Sequence, residues 1–428
     1  MDRTRIHEGI RQMRFERLLD RQESGGLSQV EAAELLGISE RSFRRWRDRL
    51  RDEGPVGLAD RRLGKRSPRR ASVAEISRML DLYRGSYADF TVKHFHEQLV
   101  KRHGYKLGYT VTKVHLQRAG LVVQAPRRSA HRKKRPRRPM VGMMLHQDAS
   151  THVWLLGTGR KHDLVASLDD ATSALLSAFL TDEEGTASSF RGLREVIEQH
   201  GLFCALYTDR GSHYFHTPEA GKAVSKTQLT QVGRALKQLG TEHIAAYSPE
   251  ARGRSERAFR TLQDRLPKEL ALAGITTVEA ANRWIAETYI PQHNAAFAVD
   301  AVQEGSAFLH DPTVAWPDIL CIQEERTVGN DNTVKWQCLS LQLPPSRLRP
   351  HFVKAVVRVH EYPDGTIAVF LGPHRLADYD ATGKIRPTTE QAACHASTPA
   401  IFPRGMPRGK TRTKRTDHKL PKPANLTS

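Results

Sequence analysis

The chain is short of cysteine, of long apolar runs and of negative charge, and each shortage excludes something. Its four cysteines, Cys204, Cys321, Cys338 and Cys394, are scattered over 428 residues with no C-x-x-C pair. That argues against a disulfide framework and against a cysteine-rich zinc site. The opening MDRTRIHEGIRQMRFERLL has no apolar h-region, and no stretch approaches the ~20 residues that span a bilayer. The expectation is a soluble protein of a reducing compartment, cytoplasmic and with no membrane partner. Acidic residues number 47 against 67 basic ones, a formal net charge of +20. Such an excess favours polyanionic partners, because each phosphate neutralised by Lys or Arg releases condensed counterions.

What is there changes character several times along the chain. Residues 1–60 and 72–123 read as two helical units, the second winged-helix-like, and both are expected to bind DNA. A run of Arg, Lys and Pro within 124–139 (PRRSAHRKKRPRRP) cannot bury a core and predicts an extended basic linker. Over 140–300 apolar runs alternate with helical patterns, the mark of an α/β domain. Between 328 and 380 short β-rich runs flank Asp364-Gly365, a hairpin dipeptide, and a small β-barrel is expected. From 385 to 428 a low-complexity basic tail is expected to be disordered. The fold class is thus multidomain, with an α-helical amino-terminal region, an α/β core and a small β domain.

The segment LSQVEAAELLGISERSFRRWRDRLRDEG has a helix-turn-helix layout. Ser28 with Glu31 forms a capping box, Gly37 permits the tight turn, and Ser39 caps the next helix. Val30, Ala33, Leu35 and Leu36 are assigned to the inner face of the first helix, and Phe43, Trp46 and Leu50 to that of the second. The second helix also carries Arg41, Arg44, Arg45, Arg47 and Arg49. In a major groove arginine offers bidentate bonds to guanine and charge for phosphates. His94, His96, His103 and His115 lack partner cysteines and are read as core or phosphate-facing residues rather than zinc ligands.

Three acids stand out in the α/β region. Asp148 (MLHQDAS) lies near the end of an apolar strand, Asp209 (ALYTDRGSHY) where a strand meets a glycine turn, and Glu256 (SPEARGRSERAFRTLQDRL) at the head of a helix. Phosphodiester chemistry needs an activated oxygen nucleophile and neutralisation of the entering and leaving oxygens. Two divalent ions about 3.5–4 Å apart provide both, and hard ions such as Mg²⁺ take carboxylate oxygens. Asp169 and Asp170 are rivals for Asp148, as strand-end acids, and Glu250 is a rival for Glu256. His146 shares a strand face with Asp148 but, as an imidazole, is a poor Mg²⁺ ligand.

These three motifs, with VASLDDATSALLSAF, resemble the retroviral-integrase superfamily and its ribonuclease-H-like fold. SPEARGRSERAFRTLQDRL resembles the helix of DD(E)-type bacterial insertion-sequence transposases of the ISNCY type. The resemblance implies that Asp148, Asp209 and Glu256 are the catalytic acids and hold two Mg²⁺ or Mn²⁺ ions. It implies a transposase that binds terminal inverted repeats on double-stranded DNA, cleaves, and transfers strands into target DNA. It further implies a homo-oligomeric synaptic complex associated with the nucleoid. Arg41, Arg44, Arg45, Arg47, Arg252, Arg254, Arg257 and Arg260 are the expected DNA contacts. Two departures accompany it: an elaborated stretch between Asp209 and Glu256, including an amphipathic TQLTQVGRALKQLG, and Gln263 where many relatives carry a basic residue, with Arg260 available instead. A catalytically inactive DNA-binding regulator and a metal-dependent nuclease without strand transfer are the alternatives.

Overall fold

The computed structural model describes residues 3–59, 71–124, 135–218, 224–225, 227–247, 253–346 and 348–386. It divides into two units, Met1–Arg127 and Arg128–Ser428. Arg252, Glu250, most of the basic linker and the tail beyond residue 386 lie outside the described residues.

In the first unit α1 (Arg3–Glu23), α2 (Gln29–Leu36) and α3 (Glu40–Glu53) lead into a 3-10 turn, Gly54–Leu58. The capping box forms as expected: the Glu31 amide donates to Ser28 Oγ at 3.2 Å and the Ser28 amide to Glu31 Oε2 at 2.8 Å. Gly37 ends α2 at φ +65°, and Ser39 Oγ accepts the Ser42 amide at 3.3 Å. Phe15, Leu19, Ala32, Ala33, Phe43 and Leu58 make the core, with Leu36, Trp46 and Leu50 packed on it. Val30 and Leu35 are exposed instead of inward-facing. The buried stripe of α2 is turned towards Ala32 and Ala33, small residues that let α2 approach its neighbours closely.

Three further helices follow: α4 (Val73–Ser86), α5 (Val92–His103) and α6 (Tyr109–Arg118). Described residues 71–124 contain no strand, so the wing is not seen there. Three of the four histidines have structural partners. His94 stacks on Phe90 with centroids 4.4 Å apart, His96 Nδ1 meets Thr112 Oγ1 at 3.1 Å, and His103 Nε2 meets the Tyr87 hydroxyl at 3.1 Å.

The second unit is built on β1 (Leu145–His152), β2 (His162–Asp169), β3 (Leu175–Thr181), β4 (Ala205–Thr208) and β5 (Glu242–Ala245), in the order β3-β2-β1-β4-β5. The first three are antiparallel, whereas β4 runs parallel to β1 and β5 parallel to β4. This is the ribonuclease-H-like arrangement that the motifs imply. Helices α7 (Thr186–His200) and α8 (Gln231–Leu239) cover one face. The other is covered by α9 (Gly253–Leu272) and α10 (Val278–Trp284), followed by a π-helical turn at Ile285–Tyr289 and α11 (Ile290–Phe297). Period-two alternation decides which side chain goes where: Leu164, Ala166 and Leu168 of β2 face the α9 layer. The amphipathic segment expected between Asp209 and Glu256 is α8.

After a short α12 (Trp316–Ile319) the chain forms β6 (Ile322–Thr327), a hairpin of β7 (Thr333–Trp336) and β8 (Leu339–Gln342), then β9 (Val356–Glu361), β10 (Ile367–Leu371), β11 (His374–Tyr379) and β12 (Ile385–Arg386). The Asp364-Gly365 turn joins β9 to β10 with Gly365 at φ +79°. The sheet runs β12-β11-β10-β9-β6 and is open among the described residues, its edge strands unpaired with each other. Instead of closing into the expected barrel, it buries one face against the β7-β8 hairpin through Trp336, Leu341, Val359, Val369 and Tyr379. It is fastened to α8. Gln231 reads β6 as a strand neighbour would, donating to Gln323 O at 2.8 Å and accepting from its amide at 3.1 Å. Arg234 donates to Ile319 O at 3.0 Å and Cys321 O at 2.6 Å.

Three histidines of this unit make it acid-sensitive. Burial pushes His243, His293 and His360 down to about 4 from an ordinary 6.5. Because the unfolded chain protonates first, their contribution is complete above about pH 6.5 and is lost as pH falls towards 4. The melting temperature of the second unit should fall across that window. His360→Phe, which keeps the ring stacked on Phe370 (centroids 4.2 Å apart), should flatten the fall; an unchanged slope measured by calorimetry would count against this origin.

Candidate active site

The site begins with strand register. Leu145 pairs with Leu206 and His146 with Tyr207 on parallel strands, so the same offset carried forward aligns Asp148 with Asp209 just beyond the end of β4. His146 and Tyr207 share a face, their rings 5.1 Å apart. By alternation Asp148 and Asp209 lie on that face too. It is the α9 face, because Gln263 of α9 donates to Ser150 Oγ at 2.7 Å. A small cavity there is lined by His146, Gln147, Asp148, Tyr207, Thr208, Asp209 and Ser255.

Each acid is held by local chemistry. Asp209 Oδ1 accepts the Gly211 amide at 2.8 Å, closing a turn. A Cβ at position 211 would stand 3.0 Å from that oxygen, which is why glycine suits the position. Tyr214 then crosses to the opposite face of the sheet, where its buried hydroxyl donates to Gln147 Oε1 at 3.1 Å. Burial pushes that hydroxyl well above its usual range, keeping it a donor. Gln147 also bonds Ser167 Oγ and Ser189 O, both at 3.3 Å. The residue beside Asp148 thereby anchors the loop that carries Asp209.

Glu256 occupies the first turn of α9 and is exposed, next to buried Ser255. Glu256 and Gln263, seven residues apart, share a helix face, so the Gln263 bond to Ser150 turns this face towards β1. Among the described residues no three His, Cys, Asp or Glu side chains are gathered closely enough to hold a metal ion. The structure brings Asp148 and Asp209 together with Ser255 of the turn that carries Glu256, whose side chain is exposed.

The rival acids have structural partners. Asp169 accepts the Gly142 amide at 2.9 Å and the Thr172 amide and hydroxyl at 2.8 Å each. Asp170 is fully buried and accepts from His146 Nε2 at 2.7 Å, the Arg138 amide at 2.7 Å, and the guanidinium groups of Arg135 and Arg254. Burial opposes its charge, yet the His146, Arg138 and Arg254 hydrogen bonds hold its carboxyl far below the usual range. The end of the expected linker is thus docked on the core, a role for residues 135–138 that composition did not reveal. Arg254 is engaged here, whereas Arg257 and Arg260 are exposed. On α3, Arg41, Arg44 and Arg45 are exposed and Arg47 pairs with Asp48 at 3.2 Å.

Residues 17–69 match the family described as a helix-turn-helix domain. The chain is 30% identical over 356 residues to the transposase y4bF of Sinorhizobium fredii, covering 82% of this chain and 77% of that protein. The chain belongs to the transposase family. This transposase is also 29% identical over 204 residues to the transposase for insertion sequence IS1202 of Streptococcus pneumoniae, covering 47% of this chain and 43% of that one. Among solved structures it is similar to the HTLV-2 integrase catalytic core domain in complex with magnesium, at 15% identity and a TM-score of 0.26, over 35% of this chain and 88% of that one. It is also similar to a simian T-cell lymphotropic virus intasome in complex with PP2A regulatory subunit B56 gamma, at 13% identity and a TM-score of 0.30, over 61% and 84%.

In this transposase Tyr214→Phe removes the donor to Gln147 and leaves a buried acceptor unsatisfied. It should destabilise the second unit by about 1–3 kcal/mol. Amide exchange at Gly211 and Tyr214 should rise more than exchange in β3; equal protection in the variant and the wild type would refute the anchoring role.

Proposed function

We propose that this transposase binds the terminal inverted repeats of an insertion sequence and performs divalent-metal-dependent DNA cleavage and strand transfer. The observation that carries the reading is the parallel register of β1 on β4, which aligns Asp148 with Asp209 just past the end of β4, beside the α9 turn that bears Glu256. The donor set suits a hard divalent ion: all three are carboxylates, two of them converge on one cavity, and the nearby imidazole of His146 is engaged with Asp170. Asp148, Asp209 and Glu256 would hold two Mg²⁺ or Mn²⁺ ions, which when bound supply nucleophile activation and neutralise the entering and leaving oxygens.

The protein's own residues orient the DNA. Arg257 and Arg260, exposed beside Glu256, receive backbone phosphates, and Arg252 joins them on the sequence argument. Arg254 is engaged with Asp170 and stands apart from this set. Arg41, Arg44, Arg45 and Arg47 on α3 contact the end sequence, α3 acting as the recognition helix of a helix-turn-helix. Water opens one phosphodiester to leave a 3′-hydroxyl, and that hydroxyl then attacks target DNA in line, with no covalent protein–DNA intermediate. Two ends require two active sites, so the working form is a homo-oligomeric synaptic complex.

Asp148→Asn, Asp209→Asn and Glu256→Gln should each abolish cleavage of a labelled transposon end in Mg²⁺ while leaving end binding intact. Equal inactivity of wild type and Asp209→Asn with binding retained would identify a regulator. Cleavage without joining of a pre-cut end would identify a nuclease. On the DNA-reading side, Arg45→Ala should lower the slope of log K against log salt by about 1, the signature of one lost phosphate contact; an unchanged slope would remove Arg45 from the interface.

A further inference from the structure

Asp170 has the coordination of a structural hub. It follows the end of β2, is wholly buried, and gathers groups from three places: His146 on β1, Arg254 in the first turn of α9, and Arg135 and the Arg138 amide from the basic segment. The clamp closes on itself, because Arg254 Nη2 also donates to Arg135 O at 2.8 Å. Arg137 seals its rim, donating to Asp170 O at 3.2 Å, Ala171 O at 3.0 Å and Ser173 Oγ at 2.8 Å. A buried carboxylate removed from such a cluster leaves partly buried like charges facing one another, which forces them apart.

We propose that Asp170 is a positioning residue for the catalytic acids, acting through Arg254 on Glu256 and through His146 on the strand that bears Asp148. Arg254 lies two residues before Glu256, and between them Ser255 packs into the cavity shared with Asp148 and Asp209. Downstream, the Gln263 bond to Ser150 fixes the same helix to the same strand. Glu256 is therefore suspended between two tethers, and the Arg254–Asp170 pair is the one nearer to it. Without it the first turn of α9, whose preceding residues 248–252 are outside the described set, loses the ion pair that fixes it to the sheet. Arg254 thus serves the acids in this conformation through its ion pair with Asp170. The inference rests on the three-acid reading of the site.

The test is Mn²⁺ binding to the full-length, DNA-free protein, followed by electron paramagnetic resonance, with helicity and melting temperature as folding controls. Asp170→Asn and Arg254→Gln should each weaken Mn²⁺ binding about 10–100-fold, the range for lost partners of metal-ligating groups. Arg254→Lys, which keeps the charge, should recover part of it. In a Glu256→Gln background Arg254→Gln should add nothing. If Asp170→Asn does not fold, Arg254→Gln decides, because Arg135 still pairs with the carboxylate and His146 still hydrogen-bonds it. Unchanged affinity in a folded Arg254→Gln protein, with Glu256→Gln weakened, overturns the inference alone. So does an additive loss in the double variant. Wild-type affinity in Glu256→Gln refutes the three-acid reading and the inference with it.

Discussion

The parallel pairing of β1 with β4 is the constraint on which the rest of the second unit depends. It joins segments about sixty residues apart, and its two registered pairs are enough to align Asp148 with Asp209. Side chains on parallel neighbours point to the same face only when the offset is right, so a one-residue slip would send one aspartate to the α7 side. Leu145 and Leu206, both fully buried in the α7–α8 core, fix that offset by hydrophobic complementarity. The two aspartates are therefore set in register by apolar residues on the opposite face of the sheet.

On top of this register lies a polar layer that couples the two faces of the sheet. Gln147, pointing away from the acids, secures Tyr214 and with it the loop that follows Asp209. His146, pointing towards them, is secured by Asp170, which also receives the head of α9. Consecutive residues of one strand thus hold the loop after Asp209 and the head of α9 from opposite sides of the sheet. Buried polar groups at this density are tolerable because their partners are supplied.

Much of this was legible in the residues. The capping box at Ser28, the turn at Gly37 and the Asp364-Gly365 hairpin are local signals, and local chemistry decides them. The three acids are proposed from their local settings together with the resemblance their motifs carry. What escaped was set by tertiary contact. The partners of Asp170 could not be read from spacing: it follows the end of β2 and is buried among Arg135, Arg254 and His146, whereas Asp148 sits within β1 rather than at its end. The docking of residues 135–138 was hidden because an Arg-Pro run has no pattern of its own and is ordered by its partner. The inward face of α2 was misassigned at Val30 and Leu35 because small alanines bury as readily as large aliphatics where helices approach closely. The open sheet in place of a barrel reflects a hairpin, β7-β8, that covers a face which closure would otherwise have covered.

The seam between α8 and β6 bears on how the chain comes to be built. Leu320 belongs to the same buried cluster as Leu145 and Leu206, Leu202 and Leu309 bridge across the intervening chain, and Gln231 and Arg234 of α8 donate to backbone carbonyls at residues 319–323. A ribosome that has delivered all three acids has thus not yet delivered the residues that finish the core around them. Until α12 and β6 emerge, α8 presents an apolar flank and an arginine short of two carbonyl acceptors. The core around the acids is thus completed late in synthesis, with the chain already long enough for its amino-terminal helices to have folded.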